Sequence, residues 1–360
     1  MSEVNTATVV TTKQAGALIA SAPKVRFHLM GEPGVGKSSV LTYVTDQLPT
    51  HNGVYLDMST VYEGDTLMPA MDHENKVVVS YPSNRFKLHG KDRPPVAIML
   101  DELFKSNQKI INAVHPLLES SNPRLGDLFL TDKDIVFSTG NITTDGVGDS
   151  IKSHSRNRIV PLLVRKPTNK EWLDWAVPND IAPVMLAFAN ARPDMFESYI
   201  DNPETKNPYI FNPRVQQDGF FSPRSAEIAS HILKVRDVLD DDQLRSGLDG
   251  AIGRSASSEL LAYVQLQDEL PTWEAIVASP KTVAIPTNSG ACSIVVYTSI
   301  SRVDEKSMDA LMIYLSRFEP EWQAVFARQL CLTPKKQLLA FKSKQFNDWL
   351  ALNQDILPAY

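Results

Sequence analysis

The chain has 360 residues, a formal net charge of -6, 43% hydrophobic and 22% charged residues. That length can bury one large core or two modest ones, and the composition excludes a disordered, fibrous or disulfide-stapled chain. The acidic balance removes a broad basic surface as the default, so standing attachment to a nucleic-acid backbone is not implied, although a local basic stripe stays compatible with it.

Along the first half, short apolar runs alternate with helical or polar stretches, which predicts an α/β domain with a mostly parallel sheet. Five runs have the unbroken apolar character of strands covered on both faces: 25–30, 54–57, 96–101, 134–138 and 159–164. Directly after the first of them stands Gly31-Glu32-Pro33-Gly34-Val35-Gly36-Lys37-Ser38, followed by Ser39 and a helix-compatible run to Gln47. This is the G-x-x-x-x-G-K-[ST] pattern in the strand–loop–helix setting its chemistry needs. Glycines let successive backbone amides face phosphate oxygens, and the helix start adds partial positive charge. Lys37 would reach the β- and γ-phosphates of ATP, and the Ser38 hydroxyl would take a magnesium position. Chance alone would give the pattern in roughly one chain in a hundred of this size.

The third run ends in Leu100-Asp101-Glu102. Asp101 is expected to organise Mg2+ and its waters, and Glu102, one residue further, to act as general base on the attacking water. The alternative is an acidic helix start after a buried strand. The fourth run continues into Thr139-Gly140-Asn141, where Asn141 could hold the water or the γ-phosphate, or could serve turn chemistry alone.

Past Lys166 the pattern becomes mainly helical. Thr168-Asn169-Lys170-Glu171 has the spacing of a capping box. Helical patterns follow at 183–191, 225–238, 257–266, 305–316, 319–330 and 334–352, with loop-like interruptions at 201–217 and 278–290. The expected domains are therefore an α/β nucleotide-binding domain over 1–166 and a helical lid with a C-terminal helical extension over 167–360.

Cys292 and Cys331 are isolated in apolar surroundings and predict two reduced core thiols. The seven histidines form no i,i+4 pair, so a structural metal site is unsupported. There is no apolar run of membrane-spanning length, and the first residues lack a basic segment followed by an apolar one. The expectation is a cytoplasmic protein without a membrane span.

The ordered set of motifs resembles the AAA+ ATPases and, within them, the MoxR-like branch. The phosphate loop and Leu100-Asp101-Glu102 look like Walker A and Walker B, and Asn141 falls at the place of sensor 1. The stretch 58–91, with Lys76–Tyr81 as one arm of a hairpin, resembles the MoxR-like insertion. Residues 106–119 look like the helix after Walker B, and 124–130 like a second hairpin. Arg158 precedes the fifth strand, where the resemblance implies an arginine finger reaching a neighbouring subunit; Arg156 is its rival for that role. Arg224, in Phe221-Ser222-Pro223-Arg224-Ser225, resembles sensor 2. One departure is plain: Leu103-Phe104-Lys105 stands where the family carries an Asn-Arg pair after the acids.

The resemblance implies an ATPase (ATP and water to ADP and phosphate) assembled as a homo-oligomer, with a hexameric ring expected. It would remodel a protein partner, often one with a von Willebrand factor A domain. The alternative is a DNA- or RNA-linked motor or loader presenting Lys76, Arg85, Lys87 and Lys91 into a pore. A P-loop kinase or small-molecule transferase would need an acceptor site beside Asn141, for which the sequence offers no residues.

Overall fold

A computed structural model describes residues 8–142 and 157–353, and the chain divides into two compact units, 1–166 and 167–360.

In the first unit six parallel strands form one sheet in the order β1-β10-β2-β9-β6-β3. They are β1 (Thr8–Val10), β2 (Phe27–Gly31), β3 (Asn52–Asp57), β6 (Val96–Asp101), β9 (Ile135–Asn141) and β10 (Val160–Val164). The five-strand expectation is thus corrected to six. The added strand is three residues long and pairs with β10 at the sheet edge, Thr8 to Leu162 through Val10 to Val164. A run that short in the polar stretch before Thr12 gives no periodic signal. The inner strands read as continuous apolar runs because both faces are covered: Val96 through Leu100 are fully buried.

One side of the sheet packs Ala15, Ile19, Val40 and Val44, from α1 (Thr12–Ser21) and α2 (Val40–Gln47), against Leu29, Met99 and Phe137. On the other side Ile110 and Val114 of α3 (Gln108–Val114), with Leu117, pack against Ile98, Leu100 and Val136. At the N-terminal end of β9, Asp134 takes two hydrogen bonds from the Arg93 guanidinium, at 2.8 and 2.6 Å, and one from Val96 N at 2.8 Å. Burial alone would raise the Asp134 pKa, but these donors outweigh it and hold the carboxyl below its ordinary value.

Two hairpins project from the sheet connections. β4 (Leu67–Asp72) pairs antiparallel with β5 (Val77–Pro82), and β7 (Arg124–Leu125) with β8 (Leu128–Phe129). They are clasped together at one residue: Ser80 N donates to Asp127 Oδ2 at 2.6 Å, and Asp127 N donates to Ser80 O at 3.0 Å. Gly126 is required there, since its φ is +58° and a Cβ would lie 2.2 Å from Ser80 O.

The second unit is helical throughout its regular structure. The predicted capping box is formed, with Glu171 N bonded to Thr168 Oγ1 and Thr168 N to Glu171 Oε2. The Pro183–Ala191 helix has the predicted bounds. The pattern at 225–238 is the Pro223–Lys234 helix followed by a short 3-10 turn, and 334–352 is two helices broken at Ser343 rather than one. Helices at Asp241–Ile252, Trp273–Ala278 and Ser289–Arg302 occupy stretches that gave no helical expectation. The last of these is the core of the unit, burying Ala291 through Tyr297, Ser299 and Ile300. A helix covered on all sides has no polar face, and so no 3.6-residue alternation to detect.

Candidate active site

The chemistry-bearing residues of the first unit collect at the C-terminal ends of β2, β9 and β6, three neighbours in the sheet. Open parallel sheets bind ligands at that edge. Register sets their levels. Gly31 pairs with Asn141, and Leu100 pairs with Ser138, which places Asp101 level with Thr139.

The loop after β2 turns through two left-handed glycines, Gly34 at φ +78° and Gly36 at φ +97°. Gly31 has a different reason to be glycine, because a Cβ there would lie 2.7 Å from Val164 O on the adjacent strand. Val35 is inserted into the apolar core and anchors the loop, while Glu32 is buried beside it. Lys37 to Ser39 form one 3-10 turn before α2, and Ser39 Oγ donates to Gly36 O at 2.7 Å. Lys37 is only 7% exposed. Its Nζ donates to Gly31 O at 2.9 Å, Glu32 O at 3.0 Å and Asn141 Oδ1 at 2.8 Å. Three acceptors thus hold the ammonium at the mouth of the loop. Asn141, at the end of β9, is thereby joined to the phosphate loop that follows the neighbouring strand β2.

Asp101, 9% exposed, is held at both oxygens: Tyr55 Oη donates to Oδ2 at 2.6 Å and the Thr139 hydroxyl donates to Oδ1. Thr139 Oγ1 also accepts the backbone N–H of Glu102 at 3.2 Å. One hydroxyl therefore links the Asp101 carboxylate to the Glu102 backbone. Glu102 sits in the left-handed region, φ +52°, uncommon for a residue with a Cβ. The bend turns the chain out of β6 into a 3-10 turn, Leu103–Lys105.

Neither Tyr55 nor Thr139 was singled out from the sequence. Thr139 adjoins Asn141 in the same polar strand end, which was a usable signal; Tyr55 lies on β3, and only strand register brings it to Asp101. His28 was missed as well. It is buried on β2, with its Nδ1 2.8 Å from Ser138 Oγ, and burial together with the nearby Lys37 charge pushes its pKa down to about 4.

The oxygen donors Ser38 and Asp101 suit Mg2+, which binds proteins through one or two such groups and takes the rest from water and phosphates. No cluster of three or more His, Cys, Asp or Glu that could hold a metal occurs among the described residues.

Two residues singled out from the sequence lie away from this edge or in the other unit. Arg158 precedes β10 at the opposite end of the sheet. The Val160–Phe27 rung is four residues before Gly31, about 13 Å of strand. Arg158 Nη1 is 3.1 Å from Glu119 Oε1 and 2.8 Å from His115 Nδ1. Arg224 is exposed in the first turn of the Pro223–Lys234 helix, which starts with Ser222 as cap and Pro223 in place. Arg156 lies outside the described residues.

Residues 26–133 match the family model of the AAA domain, dynein-related subfamily. The matched span runs from the start of β2 past Walker B, and the six-stranded parallel sheet around it completes the architecture. The fold is that of an AAA+ domain. Among solved structures, NtrX from Brucella abortus in complex with ADP is similar at 13% identity and a TM-score of 0.40, covering 91% of this chain and 67% of that one. A second NtrX structure from the same organism gives 13% identity and a TM-score of 0.34, with 89% and 68% covered. Likeness at that level carries no functional argument. A comparison with curated proteins returns no match. No helix among the described residues is long and apolar enough to cross a membrane. The AAA+ unit is followed by the helical region from 167 onward.

Proposed function

We propose that the protein hydrolyses ATP, with water attacking the γ-phosphate above the ends of β2, β9 and β6. The observation that carries this reading is the side-chain set joined there: Lys37 bonded to Asn141, and Asp101 and Glu102 joined through Thr139. Backbone amides of residues 31–39 would receive the phosphates, and Lys37 would exchange its present acceptors for phosphate oxygens. Ser38 and Asp101 would hold Mg2+, whose charge offsets that of the phosphates. Glu102 would take the proton of the attacking water, and Asn141 would fix the water or the γ-phosphate by hydrogen bond.

Arg158 cannot serve its own loop from the far end of the sheet, so in this reading it acts on the site of a second copy. That requires a homo-oligomer, for which a hexameric ring of MoxR-like type is the arrangement we favour. The Glu119 ion pair would open as the guanidinium engages the neighbour's phosphate. Arg224 would act as sensor 2, on the γ-phosphate bound by its own chain. Coupling to remodelling of a protein partner, such as one with a von Willebrand factor A domain, completes the proposal.

The test is steady-state ATP turnover as a function of protein concentration. Glu102→Gln should lower kcat about 10^2- to 10^4-fold while nucleotide still binds. Arg158→Ala should abolish turnover and leave binding intact, and wild-type specific activity should rise with concentration. A dilute monomer hydrolysing at full rate would refute the shared site. A second reading, a nucleic-acid motor, predicts instead that DNA or RNA stimulates turnover with a steep salt dependence.

A further inference from the structure

Three residues after Glu102, Lys105 places its Nζ 2.9 Å from Glu102 Oε2. Both ends of this pair stand on fixed backbone. Leu103 is fully buried, and the Phe104 ring meets His28 edge-on at 5.1 Å between centroids. Lys105 N donates to Glu102 O at 3.0 Å, and the Ser106 hydroxyl donates to Met58 O. At the near end, Glu102 is held by its amide on Thr139. Its Oε2 is enclosed, and the Lys105 ammonium lies beside it.

We propose that Lys105 is a positioning residue that restrains Glu102. It draws the carboxylate toward the turn and competes with water for Oε2, so that hydrolysis must first part this pair. The inference rests on the reading of Glu102 as general base. It also gives a role to the Leu103-Phe104-Lys105 segment, where the chain departs from the pattern it otherwise resembles. The Lys105 side chain is 44% exposed. An acidic group on an arriving protein could therefore take the ammonium from outside and free the carboxylate.

The experiment compares wild type, Lys105→Met, Lys105→Arg and Glu102→Gln in Mg2+-dependent ATP turnover, with kcat and KM separated and thermal unfolding recorded. Lys105→Met should raise kcat about two- to five-fold, the range set by a half-exposed ion pair. KM should stay the same, and Lys105→Arg should keep the wild-type rate. A merely structural role would not raise kcat. If Lys105→Met melts early, Lys105→Gln replaces it in the same comparison. Unchanged or lower kcat in a variant that melts like wild type would overturn the restraint alone, provided Glu102→Gln is inactive. Glu102→Gln turning over like wild type would overturn the general-base reading, and the restraint with it.

Discussion

The two units bury their polar groups in opposite ways. Besides Thr66, Ser138 and Thr139, the first buries seven ionisable side chains: Arg26, His28, Glu32, Lys37, Asp101, Asp134 and Lys166. The buried polar residues of the second, among those described, are nine serines and Gln329. Burying a charge is costly unless it is paired or hydrogen-bonded, so a fold that keeps several must hold each in a fixed network. The first unit does so at both ends of its sheet, with Asp134 and Arg93 at one end and Lys37, Asn141, Thr139 and Asp101 at the other. The second unit is built on apolar packing around the Ser289–Arg302 helix, with hydroxyls placed among it. The candidate site lies in the unit that buries ionisable groups.

This contrast can be attacked first at Asp134. Asp134→Ala leaves the Arg93 guanidinium without its partner and should destabilise the first unit by about 3–5 kcal/mol. All five tryptophans lie in the second unit, so their fluorescence follows that unit, while amide exchange on β6 and β9 follows the first. Loss of protection confined to the strands is the expected outcome. Equal loss by both probes would mean that the units unfold together.

A smaller effect comes from His28. Its folded pKa, about 4, lies below the unfolded value of 6.5, so the unfolded chain takes the proton first. Its contribution is complete above about pH 6.5 and is lost as pH falls toward 4, up to about 3 kcal/mol. Below that range Asp134, whose pKa is also depressed, adds a further loss. Strand protection should therefore decline between pH 6.5 and 4, and His28→Gln should flatten the slope. A steeper slope by tryptophan fluorescence than by strand exchange would contradict the contrast.

The least effect is expected in the second unit from Ser230→Ala. It deprives the buried Ala182 N–H of its 2.7 Å acceptor, at a cost of about 1–3 kcal/mol that should not vary between pH 5 and 7. Denaturant midpoints by fluorescence at the two pH values would check both statements.

The same contrast explains what was legible in the sequence. Strands β2, β6, β9 and β10 stand out because inner parallel strands are unbroken apolar runs, and the phosphate loop because its chemistry is written in consecutive residues. The Ser289–Arg302 helix was hidden because Ser293–Ile300 mixes β-branched residues with buried hydroxyls and carries no charged stripe to betray its period. β1 was hidden because three residues at an edge carry too little pattern. The partners of Asp101 were hidden for another reason. Tyr55 lies 46 residues away and Thr139 lies 38, and their meeting depends on inter-strand register, which local pattern does not encode.

Thr139 and Asn141 are two residues apart on β9 and so leave the strand toward the same face. One reaches the acids and the other reaches the lysine. Sliding that strand by a single position against its neighbours would turn both away at once. Misfolding of this kind cannot produce a half-able molecule: the tether on the cation and the link from the Asp101 carboxylate to the Glu102 amide disappear in one event. A population trapped that way would count as protein in every assay of mass and as none in an assay of turnover.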